Sequence, residues 1–260
     1  MLEGKCALIT GSTQGLGYAM AERLAAQGCN IVLNGFGDAD EIERKRLHLA
    51  NAHGIRALHH GADLAQPGQI TDLVETAQRT FGAVDILINN AVVRHFSPIE
   101  DFKVEDWDRA LAVNLSSAFH TTRLALPDMR RRNFGRIVNI ASIFGLRGTV
   151  NRIDYVTTKT ALIGFTRAVA LETASQNITC NAICPGSSPT PAIEQRLAEF
   201  MAKEGLPREQ AERAFMASRQ PSGRFVQADR VAGLAVFLCG PDGADTTGSA
   251  ISIDGGWNAS

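Results

Sequence analysis

The sequence predicts an α/β fold in which a doubly wound parallel sheet of seven strands carries helices on both faces. Two patterns lead to this prediction. Short, continuous apolar runs alternate along the chain with longer segments of helical periodicity, which is typical of strands buried on both faces of a parallel sheet. A glycine-rich turn also follows the first apolar run directly, as it does where a strand meets the first helix of a dinucleotide-binding sheet.

The predicted strands are short and mostly apolar. They are Lys5–Thr10, Asn30–Asn34, Ile55–His59, Val84–Asn89, Arg136–Ala141, Thr179–Ile183 and Ala250–Ile253. Such runs fit strands that are covered by helices on both sides. The chain has no linker-like run rich in Pro, Ser and Gly and no repeat at a fixed period, so we expect residues 1–260 to form one domain.

Helical periodicity fills the stretches between the strands. The predicted helices are Leu16–Gln27, Asp38–Ala52, Ile70–Phe81, about Trp107–Arg131, Tyr155–Glu172 and Arg230–Cys239. Pro127 predicts a bend or break in the fourth of these, because proline lacks the N–H that an interior helical residue donates. Residues 190–221 contain two further amphipathic patterns, which we interpret as a lid over the substrate, with a dimerisation element as the alternative.

Composition excludes several classes of protein. The chain has 26 Lys plus Arg and 27 Asp plus Glu, a net charge of −1, which gives no electrostatic footprint for nucleic acid. No apolar run approaches the ~20 residues that span a bilayer, and the start lacks the layout of a signal peptide. We therefore expect a cytoplasmic protein that binds neither nucleic acid nor membranes. The five cysteines include no C-x-x-C pair, so neither a disulfide framework nor a metal site is expected.

The turn after the first predicted strand is the first chemical signal. It reads Gly11-Ser12-Thr13-Gln14-Gly15-Leu16-Gly17. Glycines at such a turn let backbone N–H groups approach a pyrophosphate at the N-terminus of a helix. Ordinary turn chemistry is the alternative, and the position of the turn in the first strand–helix unit favours a cofactor loop.

The end of the second predicted strand bears on the choice between NAD and NADP. A 2′-phosphate requires a nearby cation, whereas a free ribose hydroxyl does not. The segment 34–38 contains no Lys or Arg, and neither does the glycine turn, so NAD is the predicted cofactor. Phe36 is placed to pack against the adenosine, and Asp38 either contributes there or begins the next helix.

Polar residues also follow the third and fourth predicted strands. Asp63, followed by Leu64, offers a carboxylate to the adenine amino group, with an N-cap of the next helix as the competing role. Asn90 and Ala91 follow the fourth strand, where the carboxyl edge of an open α/β sheet binds its ligand. All four residues are therefore candidates for cofactor binding.

The second chemical signal predicts the reaction. Tyr155 and Lys159 are four residues apart in a predicted helix, so both project from one face. A lysine ammonium close to a phenol stabilises the phenolate, which can then exchange a proton with an alcohol or a ketone. Ser142 can hydrogen-bond the same substrate oxygen, and Asn114 can hold a water that links Lys159 to solvent.

Together and in this order, these motifs resemble those of the short-chain dehydrogenase/reductase family. The matching segments are Thr10–Gly17, Asn89-Asn90-Ala91, Asn114, Ser142, Tyr155-x-x-x-Lys159 and Asn181-x-x-x-Pro185-Gly186. The resemblance extends over nearly the whole chain. It implies a Rossmann-type domain, a homotetramer and a catalytic tetrad of Asn114, Ser142, Tyr155 and Lys159.

The same resemblance implies roles for individual residues. Tyr155 would be the acid/base, Ser142 would orient the carbonyl, and Lys159 would also bind the ribose. Cofactor contacts are further implied for Pro185, Gly186, Ser188 and Thr190, the last with the nicotinamide half of NAD.

Four further segments are Met1-Leu2-x-Gly4-Lys5, Asn34-Gly35-Phe36-Gly37-Asp38-Ala39, Ala182-Ile183-Cys184-Pro185-Gly186 and Ile253–Trp257. Within the family, they resemble those of the bacterial 3-hydroxybutyrate dehydrogenases, but the substrate-facing positions differ. Those enzymes hold a small carboxylate with Gln, His, Lys, Trp and Gln. The residues here at those five positions are Arg94, Phe144, Arg152, Ser187 and Arg196. Serine in place of tryptophan predicts a roomier pocket. Guanidinium groups suit carboxylate, phosphate or sulfonate oxygens, although Arg94 and Arg196 can also be ordinary surface residues.

These observations predict an NAD-dependent oxidoreductase acting on a secondary alcohol or ketone. The changed pocket favours an anionic hydroxylated substrate, namely a sugar acid, a sulfonated or phosphorylated sugar, or a hydroxy acid. Oxidation of 3-hydroxybutyrate is the main alternative. A dinucleotide-binding protein without catalysis is a second, because a fold does not establish a function, but such a protein would not need Ser142, Tyr155 and Lys159 together.

Overall fold

A computed structural model describes residues 2–189, 191–217 and 219–260, without the side chains of residues 191 and 192. Seven parallel strands form one sheet in the order β3-β2-β1-β4-β5-β6-β7. The strands are β1 (Cys6–Ile9), β2 (Asn30–Asn34), β3 (Ala57–His60), β4 (Ile86–Asn89), β5 (Gly135–Ile140), β6 (Ile178–Pro185) and β7 (Ala250–Ile253). The prediction of a doubly wound seven-stranded sheet is therefore confirmed.

Helices cover both faces of the sheet. They are α1 (Gly15–Ala25), α2 (Ala39–His53), α3 (Pro67–Phe81), α4 (Val104–Leu111), α5 (Ser117–Arg132), α6 (Ile153–Thr173), α7 (Pro191–Glu204), α8 (Arg208–Met216) and α9 (Ala228–Cys239). Among the residues described, no helix is long and apolar enough to cross a membrane.

Alternation along the strands builds two separate cores. Successive residues of a strand point to opposite faces, so Ile9 packs with α1 and α9 while Leu8 packs with α3, α5 and α6. Both side chains are fully buried. This division explains why the strands read as continuous apolar runs, since neither face meets water.

The helix expected at about Trp107–Arg131 is interrupted, but not at Pro127. Helices α4 and α5 are separated by a π-helical turn over Ala112–Ser116, and α5 continues through Pro127 to Arg132. Of the bend or break expected at Pro127, the break is therefore wrong, and the bend remains a prediction. Ala125 and Met129 are buried in the second core on either side of it, and this packing holds the helix together across the missing N–H.

The segment after β6 contains the two amphipathic helices that the sequence predicts. Helices α7 and α8 pack on each other around a small core of their own, formed by Leu197, Ala211, Met216 and Phe225. This core is distinct from the two cores that lie on opposite faces of the sheet. Its separateness is compatible with a segment that moves as a unit, and the role of a lid remains a prediction.

Buried amide side chains connect the central strands to helices α5 and α6. The Asn89 amide donates to Asn139 Oδ1 at 2.8 Å, and the Asn139 amide donates to Thr166 Oγ1 at 2.9 Å. Thr121 Oγ1 donates to Asn89 Oδ1 at 2.8 Å. All four residues are buried. The chain of bonds fixes the carboxyl ends of β4 and β5 relative to the helices that follow them.

We expect Asn139→Ala to destabilise the fold by about 1–3 kcal/mol, because it leaves a buried amide donor of Asn89 without its acceptor. The matched control is Asn30→Ala, which removes exposed bonds to Gly4 and Arg56 and should cost less than about 1 kcal/mol. Urea unfolding of both variants measures the difference. Equal effects would contradict the structural role given to the buried amides.

Candidate active site

A cavity of about 1440 Å³ opens at the carboxyl edge of the sheet. It lies where the strand order reverses between β1 and β4, the position at which open α/β sheets bind their ligands. Its volume exceeds the upper end of the usual range for small-molecule sites, ~1,000 Å³, so it has room for a dinucleotide and a substrate together.

Nearly all of the residues predicted from the sequence line this one cavity. The predicted cofactor residues in its wall are Gly11, Thr13, Gln14, Gly15, Leu16, Gly17, Phe36, Asp63, Leu64, Asn90, Ala91, Tyr155, Lys159, Pro185, Gly186 and Ser188. The predicted substrate residues in its wall are Arg94, Ser142, Phe144, Arg152, Ser187 and Arg196. Asn114 lies behind the wall, and Thr190 falls outside the described residues.

The glycine turn fits a dinucleotide pyrophosphate. A Cβ at Gly17 would come within 2.3 Å of the Gly11 carbonyl oxygen, so only glycine allows this close approach. Gly15 has a positive φ of 55° and open space where a Cβ would stand. Within the described part of the chain, no side chain caps the N-terminus of α1 and its first turn has no acidic residue. The N–H groups there are available to phosphate oxygens.

Hydrogen bonds join the glycine turn to the loop after β2. Thr13 Oγ1 donates to the Phe36 carbonyl at 2.9 Å, and the Asn34 amide oxygen accepts from Gly11 N at 3.3 Å. The ring of Phe36 is largely exposed at the cavity, as expected for a residue that packs on adenosine. Asp38 accepts from Glu41 N at 2.8 Å as the N-cap of α2, so the second of its two predicted roles is confirmed.

A lysine that sequence reasoning missed lies near this end of the cavity. Lys45 Nζ donates to the Thr13 carbonyl at 2.8 Å and to Glu41 at 2.7 Å. It sits on α2, well beyond the segment 34–38, and no local signal connects it with the glycine turn. Its ammonium is thus already committed to an oxygen and a carboxylate of the protein.

Asp63 does not cap helix α3, and that alternative is wrong. The helix begins with Pro67, whose fixed φ suits the first helical position, and the N-cap is Gln66. Asp63 instead accepts from Arg109 at 3.0 Å and from Ala65 N at 3.0 Å. Both hydrogen bonds hold the pKa of the Asp63 carboxyl below its usual value, and the bond from Arg109 contributes most. Contact with adenine remains a prediction.

Tyr155, Lys159 and Ser142 all line the cavity, and all three are buried. The ammonium of Lys159 donates to the Ile140 carbonyl at 2.6 Å and lies 5.8 Å from the centre of the Tyr155 ring. Ser142 Oγ accepts from Phe144 N at 3.2 Å, which orients it just beyond the end of β5. A hydroxyl, a phenol and an ammonium therefore converge where a substrate oxygen can bind.

Burial lowers the pKa of Lys159 from its ordinary value of 10.5 to about 7. Taking the ammonium out of water disfavours its charged form, and the positive charge of Arg94 acts in the same direction. Cys184 opposes the shift more weakly. Lys159 can consequently gain or lose a proton near neutral pH.

The side chain of Asn114 is fully engaged with the protein. Its oxygen accepts from Val93 N at 2.8 Å, and its amide donates to the Val93 carbonyl at 3.0 Å and to Thr158 Oγ1 at 3.3 Å. Asn114 lies in the π-helical turn between α4 and α5, a feature often found at functional sites. The water expected at Asn114 remains a prediction.

Two arginines flank Tyr155. The guanidinium carbon of Arg94 is 5.4 Å from the centre of the Tyr155 ring, and that of Arg152 is 5.9 Å from it. Arg196 lies farther out on α7, exposed, with its guanidinium 5.8 Å from the Phe215 ring. Phe144 packs edge-on against Tyr155 at 6.4 Å. The N–H of Ser187 donates to buried Gln220.

The cavity wall includes residues that sequence reasoning missed. Trp257 packs edge-on against Phe144 at 5.3 Å, and Arg147 donates to the main-chain carbonyls of Trp257 and Ser260. Arg219, from the segment after α8, also lines the cavity. These residues come from distant parts of the chain, and no local motif marks them.

A phenol beside a buried lysine, at the switch point of a doubly wound sheet, is the arrangement of a dinucleotide-dependent oxidoreductase. The family model described as enoyl-(acyl carrier protein) reductase matches residues 11–258. The chain is 48% identical to the D-β-hydroxybutyrate dehydrogenase of Cupriavidus necator over the full length of both chains. It is 46% identical to that of Rhizobium meliloti over 98% of this chain and 99% of the relative.

The protein belongs to the short-chain dehydrogenase/reductase family. It is also similar in structure to the L-sorbose reductase of Gluconobacter frateurii, solved with NADPH and L-sorbose. The two have a TM-score of 0.91 and 31% sequence identity, over 99% of this chain and 98% of the other.

We expect Lys159→Met to abolish a rise in stability with pH. Because the pKa of Lys159 is about 7 in the folded protein and 10.5 ordinarily, the native state binds fewer protons than the unfolded state between these values. The free energy of unfolding should thus rise by roughly 1 kcal/mol per pH unit across this window, relative to Lys159→Met. Parallel urea unfolding at several pH values tests this, and identical slopes would contradict it.

Proposed function

We propose that the protein is an NAD-dependent dehydrogenase of a hydroxy acid, with 3-hydroxybutyrate as the first substrate to test. The observation that carries this proposal is the position of Arg94 and Arg152. Both guanidinium groups lie within 6 Å of the centre of the Tyr155 ring, which carries the reacting hydroxyl. Guanidinium groups bind carboxylates bidentately. A hydroxy acid whose carboxylate meets Arg94 and Arg152 brings its alcohol close to Tyr155.

The catalytic residues divide the work of proton transfer. Tyr155 takes the proton of the substrate hydroxyl during oxidation and returns it during reduction. Lys159 lowers the cost of the phenolate, and a water held at Asn114 links Lys159 to solvent. Ser142 Oγ hydrogen-bonds the same substrate oxygen and orients it. Bound NAD supplies the hydride acceptor, which the residues of the cavity hold and orient.

The loop after β2 supports NAD over NADP. Segment 34–38 has no Lys or Arg, and Lys45 is committed to Thr13 and Glu41. The family also includes enzymes that use the phosphorylated cofactor, such as the sorbose reductase solved with NADPH. To bind the 2′-phosphate of NADP, Lys45 would have to give up its bonds to Thr13 and Glu41. This cost disfavours NADP.

The two dehydrogenase relatives act, by name, on D-β-hydroxybutyrate, and their likeness over the whole chain favours this substrate. Resemblance also implies that such enzymes place Lys at the position of Arg152, so the positive charge there is retained. Arg94 adds a second cation. Both features suit one small carboxylate.

A larger anionic substrate is the second candidate, and the outer cavity favours it. In the described chain, the guanidinium groups of Arg196 and Arg219 form no ion pair, and Ser187 stands where a bulky wall residue is expected. A sugar acid, or a sulfonated or phosphorylated sugar, would fill this space and meet these cations. The structurally similar sorbose reductase was solved with a polyhydroxylated substrate.

Residues 190–221 would act as a lid that closes over the substrate and excludes water. Helices α5 and α6 carry the exposed side chains of Phe119 and Leu171, and pairing of these helices in a homotetramer would cover them. We propose that the 260 residues act as one domain in the cytoplasm.

We expect purified protein with NAD to produce NADH, followed at 340 nm, from 3-hydroxybutyrate. Tyr155→Phe should bind NAD normally but lose about 10²–10⁴-fold in turnover, because the acid/base is gone. Turnover confined to anionic sugars would favour the second candidate, and Arg196→Gln should then raise their KM. Dinucleotide binding without turnover of any substrate in the panel would support the non-catalytic alternative.

We also expect NAD to be used with a higher kcat/KM than NADP. Phe36→Arg places a cation at the end of β2 and should raise kcat/KM for NADP by about tenfold, worth roughly 1.4 kcal/mol. Phe36→Leu is the matched control, since it removes the ring without adding charge. A wild-type preference for NADP would contradict the cofactor proposal.

A further inference from the structure

The segment 91–98 has no regular secondary structure, yet alternate residues along it are tethered to the protein. The tethers are Ala91 N to Thr10 Oγ1 at 3.1 Å, Val93 N to Asn114 Oδ1 at 2.8 Å, His95 N to Asp154 Oδ2 at 3.3 Å, and Ser97 N to Asn151 O at 3.2 Å. Tethers at Val93 and His95 therefore hold the main chain on both sides of Arg94.

Val92, Arg94 and Phe96 lie between tethers, and all three line the cavity together with the tethered residues Ala91 and Val93. Arg94 and Phe96 are the two of these that concern the substrate end. They are exposed, whereas Val93, His95 and Ser97 are partly buried. Arg94 lies beside the Tyr155 ring, and Phe96 lies 5.4 Å from the guanidinium of Arg152. A flexible side chain such as Arg94 depends on its backbone being held in place.

The tether between His95 and Asp154 includes a second bond, from the side chain of His95. Besides the main-chain bond, His95 Nδ1 lies 2.9 Å from Asp154 Oδ2. Asp154 is completely buried, and its other oxygen accepts from Tyr155 N at 2.6 Å. Because a carboxylate can only accept, Nδ1 carries the hydrogen of this bond. The far side of the ring meets Asp106, partly exposed, at 3.5 Å.

We propose that His95 and Asp154 form a positioning pair that holds the guanidinium of Arg94 beside Tyr155 and thereby sets the affinity for the anionic group of the substrate. One carboxylate bonds the residue after Arg94 and the main chain of Tyr155 itself. The pair thus fixes the distance between the anion-binding cation and the reacting phenol. The part of this inference that concerns substrate rests on the proposed function.

The pair also affects the pKa of Lys159 in the protein without substrate. Lys159 faces Arg94 on the segment after β4, Cys184 on β6 and Tyr155 on its own helix. Arg94 contributes to the lowered pKa of Lys159. Release of Arg94 from its position removes this repulsion, so the pKa of Lys159 should rise above its value in the wild type.

The variants His95→Phe and Asp154→Asn test the pair. Phenylalanine keeps an aromatic ring against Phe102, which His95 contacts edge-on at 6.0 Å. It removes the bond from Nδ1 to Asp154 and the contact of Nε2 with Asp106. Asparagine keeps the size of Asp154 and removes its charge. Asp106→Asn is the matched control, because it neutralises the exposed carboxylate on the other side of the same imidazole.

In both test variants we expect the KM for 3-hydroxybutyrate to rise about tenfold, with kcat and the Kd for NAD within about twofold of the wild type. Stability is measured against Lys159→Met in each background without substrate. The lower limit of the pH window in which it rises should move to higher pH, while the upper limit near 10.5 stays in place. Asp106→Asn should change neither quantity.

Two results would overturn the inference. One is an unchanged KM together with an unchanged pH window in His95→Phe and Asp154→Asn. The other is a loss of thermal stability that lowers kcat and NAD binding alike, which would mark a purely structural role. If the wild type does not turn over 3-hydroxybutyrate, the proposed substrate is wrong, yet a shifted pH window in the variants would still establish the pair.

Discussion

The close contact between the turn after β1 and the turn after β4 is the constraint on which the site depends. The Asn90 amide donates to the carbonyls of Thr10 and Gly11 at 2.9 and 2.8 Å, and Thr10 Oγ1 accepts from Asn90 N at 2.9 Å. Gly17 packs into the same corner, where a Cβ would strike Gly11 and Asn90. This contact aligns the N-terminus of α1 with the carboxyl edge of the sheet, so the glycine turn and Tyr155 line one cavity.

Electrostatics at the substrate end follows from the burial of one cation near another. Lys159 has a single carbonyl, that of Ile140, as its hydrogen-bond acceptor within the described structure, and Arg94 adds repulsion. Because its pKa is about 7, the side chain of Lys159 exists as both ammonium and neutral amine near neutral pH. An anion that neutralises Arg94 reduces the repulsion and favours the ammonium form. Substrate charge and the protonation of the catalytic group are therefore coupled through the same arginine.

Local patterns were sufficient for the parts of the molecule that depend on neighbouring residues. The alternation of short apolar runs and helices predicted the sheet, the spacing of Tyr155 and Lys159 predicted a shared helix face, and Asp38 preceded its helix as an N-cap does. The π-helical turn around Asn114 was not predictable, because a 3.6-residue periodicity cannot reveal a local i→i+5 bond. Lys45 and Trp257 were missed for a different reason, since long-range packing brings them to the cavity.

Scaffold and specificity are separable in this molecule. The residues that build the switch point lie at strand ends and in the first helix, where a change in volume meets backbone atoms, as at Gly17. Arg94 and Ser187 instead lie on segments that follow β4 and β6, outside regular structure, where side chains can change without disturbing the sheet. A chain can thus remain 48% identical to a hydroxybutyrate dehydrogenase and still carry other side chains in its pocket, as the sequence resemblance implies here. This freedom has one condition, because an exposed arginine such as Arg94 recognises an anion only if its main chain is held in place. The buried carboxylate of Asp154 holds that main chain, and it does so beside Tyr155.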